Sequence, residues 1–441
     1  MNTKVKNKSR LLIAFLVIVT MLFAGGTWSF ADNGGRMTVK GVEAGATVKA
    51  YKIVKQDNKG KWVPVIDGSI SDVTKPTGKE ISKLSTRLSE LGTPVDMTAA
   101  GEDYTGTGTA GMYLVVVSKT KSTYVYNPMV VSVNFDGNGK LDGGTVDAKS
   151  KFQFGPNAYA KRSEPSVDKE ITGKVNNPQV ENDSTKHGDT LKPGDVTNFK
   201  ITTTVPSYSQ AYDNDKLKFE IKDTVSAGLD EPTDITVADE NKTLTENTDY
   251  ELVKSGKSFT VKLKKEYLLS GDSAKTVTVT YKAKLNNNAT SGFDANTNKA
   301  EIKYSNSPST EDDKEKTTYH YTFDIDGDVA GSKNIKGEEI VKVGVDKTTG
   351  ELLTKKNITE SSTVTGKLAG AEFTLYKADA SGNKTNVVAG TATTDANGLM
   401  KFSKLDAGKY VLVETKAPEG YVLNNTEIPV EITAKLNAET G

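Results

Sequence analysis

Much of the chain is patterned as β-strands, and apolar and polar residues alternate so that each strand has one face to bury. These segments are rich in Val, Thr and Lys, while Gly, Asn and Asp mark the turns between them. The strand candidates are MYLVVVS, VVSVNF, LKFEIKD, FTVKLKK, KTVTVTYKAKL, AEIKYS, AEFTLYK and YVLVET. Short strands at regular spacing predict an all-β chain built from sandwich-type domains.

One segment departs from this pattern. KEISKLSTRLSELG places Ile81, Leu84, Leu88 and Leu91 at helical spacing and ends at Gly92. The spacing predicts one helix that packs its apolar face on a core.

The N-terminus has the pattern of a secretory leader. Its four basic residues are Lys4, Lys6, Lys8 and Arg10. An apolar stretch over residues 11–24 follows, broken only by Thr20, and Ser29-Phe30-Ala31 offers small residues for cleavage. Because the apolar stretch is short for a membrane span, residues 1–31 are predicted to be a signal peptide.

Two shifts in composition suggest domain boundaries. KSKFQFGPNAYAKRSEPS closes a first β-domain, and the charged tract SNSPSTEDDKEKTT separates a second from a third. We therefore expect domains at residues 32–160, 161–321 and 322–441 after the leader, in agreement with the two to four domains typical of 441 residues.

Composition excludes several kinds of chemistry. The chain has no cysteine, and its two histidines, His187 and His320, are far apart and are predicted to be ordinary surface residues. A zinc site or a Ser-His or Cys-His nucleophile is therefore not expected. Without the four basic leader residues, 53 of the 57 basic residues remain against 57 acidic ones, which does not favour nucleic-acid binding.

Glu414 lies where an alternating strand would bury an apolar side chain. Its segment GKYVLVETKAPEGY and the preceding KLAGAEFTLYK closely resemble the collagen-adhesin B-type domain of Gram-positive surface proteins. The resemblance implies that Glu414 lies in the core and promotes an isopeptide bond from a first-strand lysine to a last-strand asparagine. Lys342 in EEIVKVGVDKTTGEL is the expected lysine. Asn437 is the only late asparagine candidate but looks like a turn residue, so we expect the acceptor to lie beyond residue 441.

Three segments of the middle domain resemble the isopeptide-forming domain of pilins: SEPSVDKEITGK, LKFEIKDTVSAGL and ANTNKAEIKYS. Carried over by position, the resemblance implies Lys169 as nucleophile, Asp223 as proton shuttle and Asn298 as acceptor. Asn296 is an alternative acceptor, and Asp223 could instead be a strand-ending turn residue. The chemistry is physically coherent, because burial favours a neutral amine and a protonated acid, which can then act on an amide.

The first domain contains AGMYLVVVSKTKSTYVYNPMVVSVNF, which resembles the N-terminal domain of major pilins. Lys161 in FQFGPNAYAKRSEP occupies the place of the pilin-motif lysine that a sortase joins to the next subunit, although Ala160 stands where proline is usual. Lys149 and Lys151 are the alternatives.

Together these resemblances imply a Gram-positive sortase-assembled major pilin: three tandem immunoglobulin-like or collagen-adhesin-like β-sandwich domains in a rod, exported to the cell surface. The expected function is that of a structural shaft subunit in a covalent pilus that serves adhesion and colonisation. The expected partners are identical subunits, a sortase, minor pilins and host matrix or glycans. No cofactor, metal or nucleic acid is expected, and no enzymatic activity beyond self-cross-linking.

A non-polymerised, cell-wall-anchored adhesin built from the same modules is the alternative, and it would not need Lys161. Such pilins end in a Leu-Pro-x-Thr-Gly sorting signal, which is absent from this sequence. We therefore expect either that the natural chain is longer or that it is anchored differently.

Overall fold

The computed structural model describes residues 35–59, 61–133, 154–175, 185–271, 273–325, 342–344, 348–349 and 368–441. Strands make up 51% of it and helices 6%, and the strands form several separate sheets. The predicted all-β, multidomain fold is confirmed. The predicted signal peptide lies outside the described residues.

The N-terminal part of the described chain consists of two larger sheets and a strand pair. Its strands are β1 (Gly35–Lys40), β2 (Thr47–Gln56), β3 (Trp62–Pro64), β4 (Val95–Asp96), β5 (Thr98–Ala100), β6 (Asp103–Gly108), β7 (Gly111–Ser118), β8 (Val125–Tyr126), β9 (Met129–Val133), β10 (Asn157–Tyr159) and β11 (Arg162–Ser163). The sheet orders are β10-β1-β6-β5 and β3-β2-β7-β9, where β4 also pairs with β2, and β11 pairs with β8.

The middle part is a sandwich of two sheets. Its strands are β12 (Ser166–Lys174), β13 (Gly188–Thr190), β14 (Val196–Val205), β15 (Phe219–Val225), β16 (Thr233–Asp239), β17 (Tyr250–Ser255), β18 (Ser258–Leu263), β19 (Lys275–Lys284), β20 (Asn296–Ser305) and β21 (Glu311–Tyr321). One sheet has the order β12-β14-β19-β16 and the other β13-β21-β20-β15-β18-β17. Inward residues of both sheets form one core, because successive side chains of a strand point to opposite faces.

The C-terminal part is smaller. Its strands are β22 (Phe323–Ile325), β23 (Glu372–Ala378), β24 (Lys384–Thr393), β25 (Phe402–Leu405), β26 (Gly408–Lys416) and β27 (Ile428–Ile432). The sheet order is β24-β23-β26-β27, and β22 pairs with β25. A separate apolar core that includes Phe373 and Leu412 lies under this sheet.

The predicted helix is interrupted. Helix α1 spans Gly78–Ser85, and a short 3₁₀ turn spans Leu88–Leu91 before Gly92. The Ser85 hydroxyl donates to the carbonyl of Ile81 at 2.8 Å, so local side-chain bonding competes with continuation of the helix. Two other short segments are helical, α2 (Lys265–Leu268) and a 3₁₀ turn (Gln210–Tyr212). No helix within the described ranges has the length and apolar character needed to cross a membrane.

The charged tract at residues 305–318 does not separate two domains, so that interpretation was wrong. Most of it belongs to β21, which is paired with β20 inside the middle sandwich. Glu311, Asp313 and Glu315 are exposed, and pairs such as Lys299–Glu315, 3.1 Å apart, span the two strands. Asp312 is buried and accepts a hydrogen bond from the N–H of Ser122. Thr318 and His320 occupy the inner face and are fully buried.

Candidate cross-linking site

Three polar side chains occupy inward positions in the middle sandwich. Lys169 on β12, Asp223 on β15 and Asn298 on β20 are all 0% exposed. Strand β12 is an edge of one sheet, whereas β15 and β20 are neighbours in the other, so the lysine faces the acid and the amide across the core. Asp223 pairs with Ala300, two residues from Asn298 on the same face. The structure thus brings together the three residues that the resemblance singled out.

A tyrosine hydroxyl completes this cluster. The Lys169 amine donates hydrogen bonds to the Asp223 carboxyl and to the Tyr281 hydroxyl. The Asn298 amide nitrogen donates to the same hydroxyl at 3.0 Å. The amine also lies 5.2 Å from the centre of the Phe199 ring and 5.0 Å from that of Tyr281. The amine and the amide nitrogen are therefore bridged by one oxygen inside an aromatic enclosure.

Burial controls the protonation of this cluster. It lowers the pKa of the Lys169 amine, against the attraction of Asp223. It also raises the pKa of the Asp223 carboxyl, against the effects of Lys169 and Tyr281. Because two charges are costly to hold in an apolar core, both directions favour a neutral amine beside a protonated acid.

Two buried oxygen atoms in the cluster have no hydrogen-bond partner among the described residues, namely Oδ1 of Asp223 and Oδ1 of Asn298. Unsatisfied buried acceptors are rare and costly in proteins, and a catalytic role is one of the few explanations for them. A protonated Asp223 would supply a donor to such an acceptor. The cluster thus contains a nucleophile, an acid and an amide.

Sequence reasoning missed two members of the surroundings. Tyr281 looked like an ordinary core aromatic because it continues the inward positions Val277 and Val279 of β19. His320 was predicted to be a surface residue, and this was wrong: it is 0% exposed, with its ring 5.2 Å from that of Phe199. Its position in a strand that looks like a charged linker concealed its burial.

The alternative acceptor Asn296 has other partners. Its amide nitrogen donates to the carbonyls of Thr290 at 3.0 Å and His320 at 3.2 Å, and its oxygen accepts from the Thr290 N–H at 3.0 Å. Asn296 therefore anchors the loop before β20, and the geometry favours Asn298 as the partner of the lysine.

Lys342 and Glu414 also meet, in the C-terminal part. The lysine Nζ lies 3.0 Å from Oε1 of a glutamate side chain that is 2% exposed. The two atoms form an ion pair, but their geometry is not that of a hydrogen bond. The other glutamate oxygen, Oε2, accepts a hydrogen bond from the N–H of Asn424 at 2.9 Å. Asn437 has a different role: it is exposed, and its side-chain oxygen accepts two backbone N–H groups of its own turn at 2.9 Å.

Lys161 lies between β10 and β11. Strand β10 pairs with β1 and β11 with β8, and the Lys161 carbonyl accepts from the N–H of Asn127 at 3.0 Å. Its backbone is thus fixed to the N-terminal sheets, and its side chain is exposed. Lys149 and Lys151 lie outside the described residues.

The described chain is thus a multidomain β-sheet protein that buries a lysine, an acid and an amide in one core. Models of three protein families match successive parts of the chain. Residues 32–162 match the T6 antigen Ig-like domain, residues 164–318 the Sgo0707 N2 domain, and residues 354–440 the SpaA prealbumin-like fold domain. The exact domain boundaries proposed above stay predictions.

Whole-chain relatives agree with this class. The chain is 27% identical to the trypsin-resistant surface T6 protein of Streptococcus pyogenes serotype M6, over 96% of this chain and 76% of the relative. The solved structure of the T6 backbone pilin has a TM-score of 0.66 at 23% identity, covering 91% of this chain and 81% of that one. The full-length major pilin SpaD of Corynebacterium diphtheriae gives 0.51 at 20% identity, covering 91% and 92%. The chain is homologous to the T6 pilin, and the resemblance to Gram-positive major pilins is confirmed.

Proposed function

We propose that this chain is the structural shaft subunit of a covalently polymerised cell-surface pilus, and that it cross-links its own middle domain. The homology to the T6 surface protein supports a place on the surface of a Gram-positive bacterium. The buried cluster of Lys169, Asp223 and Asn298 carries the proposal of a cross-link, because a structural role alone does not require these three groups in one core.

The proposed reaction joins the Lys169 Nζ to the Asn298 side-chain carbon. The neutral amine attacks the amide carbon, a new C–N bond forms, and the old bond to Nδ2 breaks. One proton leaves the attacking nitrogen and one reaches the departing nitrogen, so the products are a secondary amide and ammonia. Asp223, which burial keeps protonated, polarises the amide and has the same protonation state after the reaction as before it. The chemistry occurs once per chain and needs no external substrate.

The bond would stabilise the middle domain in two ways. It closes a loop from residue 169 to residue 298, which in the chain-entropy model contributes about 5 kcal/mol by restricting the unfolded state. It also slows unfolding, because the two sheets cannot separate at this point, and exposure to proteases falls with the unfolding rate.

Intact mass measurement tests the proposal on the purified chain. The wild type should be lighter than its sequence by one ammonia for this bond, and its peptide map should contain a Lys169–Asn298 cross-link. Asp223→Ala and Asn298→Ala should each restore the mass contribution of that ammonia. Asn296→Ala is the matched control, since it changes a nearby buried asparagine that does not contact the lysine, and it should keep the cross-link. A wild-type map with both residues in uncross-linked peptides would contradict the proposal.

The same chemistry is proposed for Lys342 as nucleophile and Glu414 as acid in the C-terminal domain. Their 3.0 Å contact and the burial of the glutamate support the pairing. Asn437 is not proposed as acceptor, because its side chain caps its own turn on the surface.

For assembly, we propose that Lys161 is the lysine that a sortase joins to the next identical subunit. Its exposed side chain on a backbone fixed by pairing at both ends would suit entry into an enzyme cleft. Minor pilins and host matrix or glycans are the further proposed partners, and adhesion is the proposed role of the assembled pilus.

A further inference from the structure

We propose that Tyr281 is a catalytic residue of the cross-linking reaction: its hydroxyl carries the proton from the attacking nitrogen of Lys169 to the departing nitrogen of Asn298. This inference rests on the proposed function above and assigns to Tyr281 a proton transfer that the resemblance alone would give to Asp223. Ammonia cannot depart from the amide until its nitrogen has received a proton.

The contacts around the Tyr281 hydroxyl fit this role. The oxygen accepts a hydrogen bond from the Lys169 amine and one from the Asn298 amide nitrogen, the latter at 3.0 Å. The hydroxyl also interacts with the Asp223 carboxyl. It therefore touches both nitrogen atoms between which a proton must move, and the acid as well.

The acid is less well placed for this transfer. Asp223 bonds to the lysine amine through Oδ2. Within the described part of the chain, the Asn298 amide nitrogen donates to the Tyr281 hydroxyl and to no other group. A proton on its way to the departing nitrogen thus has a direct hydrogen-bonded path through the tyrosine.

The proton balance closes on this path. After attack, the lysine nitrogen carries two protons and a bond to the amide carbon. The tyrosine oxygen takes one of these protons and gives its own to the departing nitrogen, which leaves as ammonia. Tyr281 ends as it began, the lysine nitrogen keeps one proton, and no oxidant or cofactor is needed.

The fold holds the tyrosine in this position. Its ring stacks on Phe199 with centroids 5.1 Å apart, and the edge of Phe259 packs against it at the same distance. Burial raises the pKa of Tyr281, so its hydroxyl keeps a proton to give. A fixed donor needs no reorganisation when the reaction occurs.

The test follows bond formation in the full-length chain during cell-free synthesis, with samples quenched over time and the cross-linked fraction read by mass. Tyr281→Phe should slow the bond on the order of 10²-fold, the lower end of what a positioned proton donor contributes. Tyr304→Phe is the matched control: it removes a buried hydroxyl that has no hydrogen-bond partner among the described residues, and it should stay within about twofold of the wild type.

A second variant keeps the hydroxyl, in case Tyr281→Phe does not fold. Fluorotyrosine at position 281 retains the shape but changes how readily the phenol gives and takes a proton, so the rate of bond formation should change. If Tyr281→Phe cross-links as fast as Tyr304→Phe, or the fluorinated chain as fast as the wild type, the role of Tyr281 is refuted while the cross-link itself stands. If the wild type never cross-links, the proposed function fails first.

Discussion

His320 gives the middle domain a dependence on acid that can be calculated. The ring is fully buried against Phe199, and its Nδ1 has no hydrogen-bond partner among the described residues. Burial lowers the pKa of His320 from 6.5 to about 3, and a positive charge on the nearby Lys169 would act in the same direction. The folded domain therefore keeps a neutral imidazole at pH values where the unfolded chain binds a proton.

The sign and size of the effect follow from linkage. Between pH 6.5 and about 3 the unfolded state holds one proton more than the folded state, so the free energy of unfolding falls as the pH falls. The slope is about 1.4 kcal/mol per pH unit, or about 2.5 kcal/mol between pH 6 and pH 4. For a domain of this size that corresponds to a Tm lower by about 5–10 °C. A cross-linked Lys169 would be an uncharged amide, so the effect of burial on His320 would remain.

Calorimetry of the wild type and of His320→Phe at pH 6 and pH 4 measures this effect on the middle-domain transition. The phenyl ring fills a similar space and cannot titrate. Acidification from pH 6 to pH 4 should therefore lower the Tm of the variant by about 5–10 °C less than it lowers the Tm of the wild type. His187→Phe, at the partly exposed histidine beside Asp168, is the control and should behave as the wild type does. Equal acid shifts in the wild type and in His320→Phe would refute the reasoning.

Two further predictions concern assembly and packing. In cells that make the full-length protein and its sortase, Lys161→Ala should abolish the high-mass ladder on denaturing gels and keep the middle-domain cross-link. If the ladder is lost only when Lys149 or Lys151 is changed, that lysine is the one joined to the next subunit. If the ladder needs no first-domain lysine, the adhesin alternative is favoured. Gly228→Ala should lower the free energy of unfolding by about 1–3 kcal/mol in thermal or urea melts, because the new Cβ would lie 2.0 Å from the Asn296 oxygen. Gly155→Ala, with open space around its Cβ, should be neutral within about 0.5 kcal/mol, and equal losses in both would contradict this explanation.

The alternation of apolar and polar residues was enough to predict much of the fold, whereas Lys169, Asp223 and Asn298 were singled out by the family resemblance. In β15 the inward positions are Phe219, Ile221, Asp223 and Val225, so the acid interrupts an apolar face. Because the side chains of a strand alternate between its two faces, Asp223 must point to the same face as Ile221 and Val225. The pairing of this acid with one particular lysine needed the family resemblance, because sequence spacing does not say which strands face each other.

The remaining features depend on tertiary context. Tyr281 is indistinguishable from a core aromatic until the position of its hydroxyl is known. The tract around Glu315 looked like a linker because charged residues dominate its composition, while the buried Thr318 and His320 are too few to show an apolar pattern. At the end of helix α1 the Ser85 hydroxyl bonds to the carbonyl of Ile81, a local contact that weakens the helix and that the apolar spacing does not report.

The location of the cluster decides how tension would pass through the middle domain. The chain enters this domain along β12, which holds Lys169, and leaves it along β21, which directly follows the strand of Asn298. A bond between these two residues would place them in one short covalent tether and take residues 170–297 out of the load path. Those residues correspond to about 440 Å of extended chain that pulling on the two ends could not release. The middle domain would then resist extension over these residues, and any stretch of a filament would have to come from chain outside them.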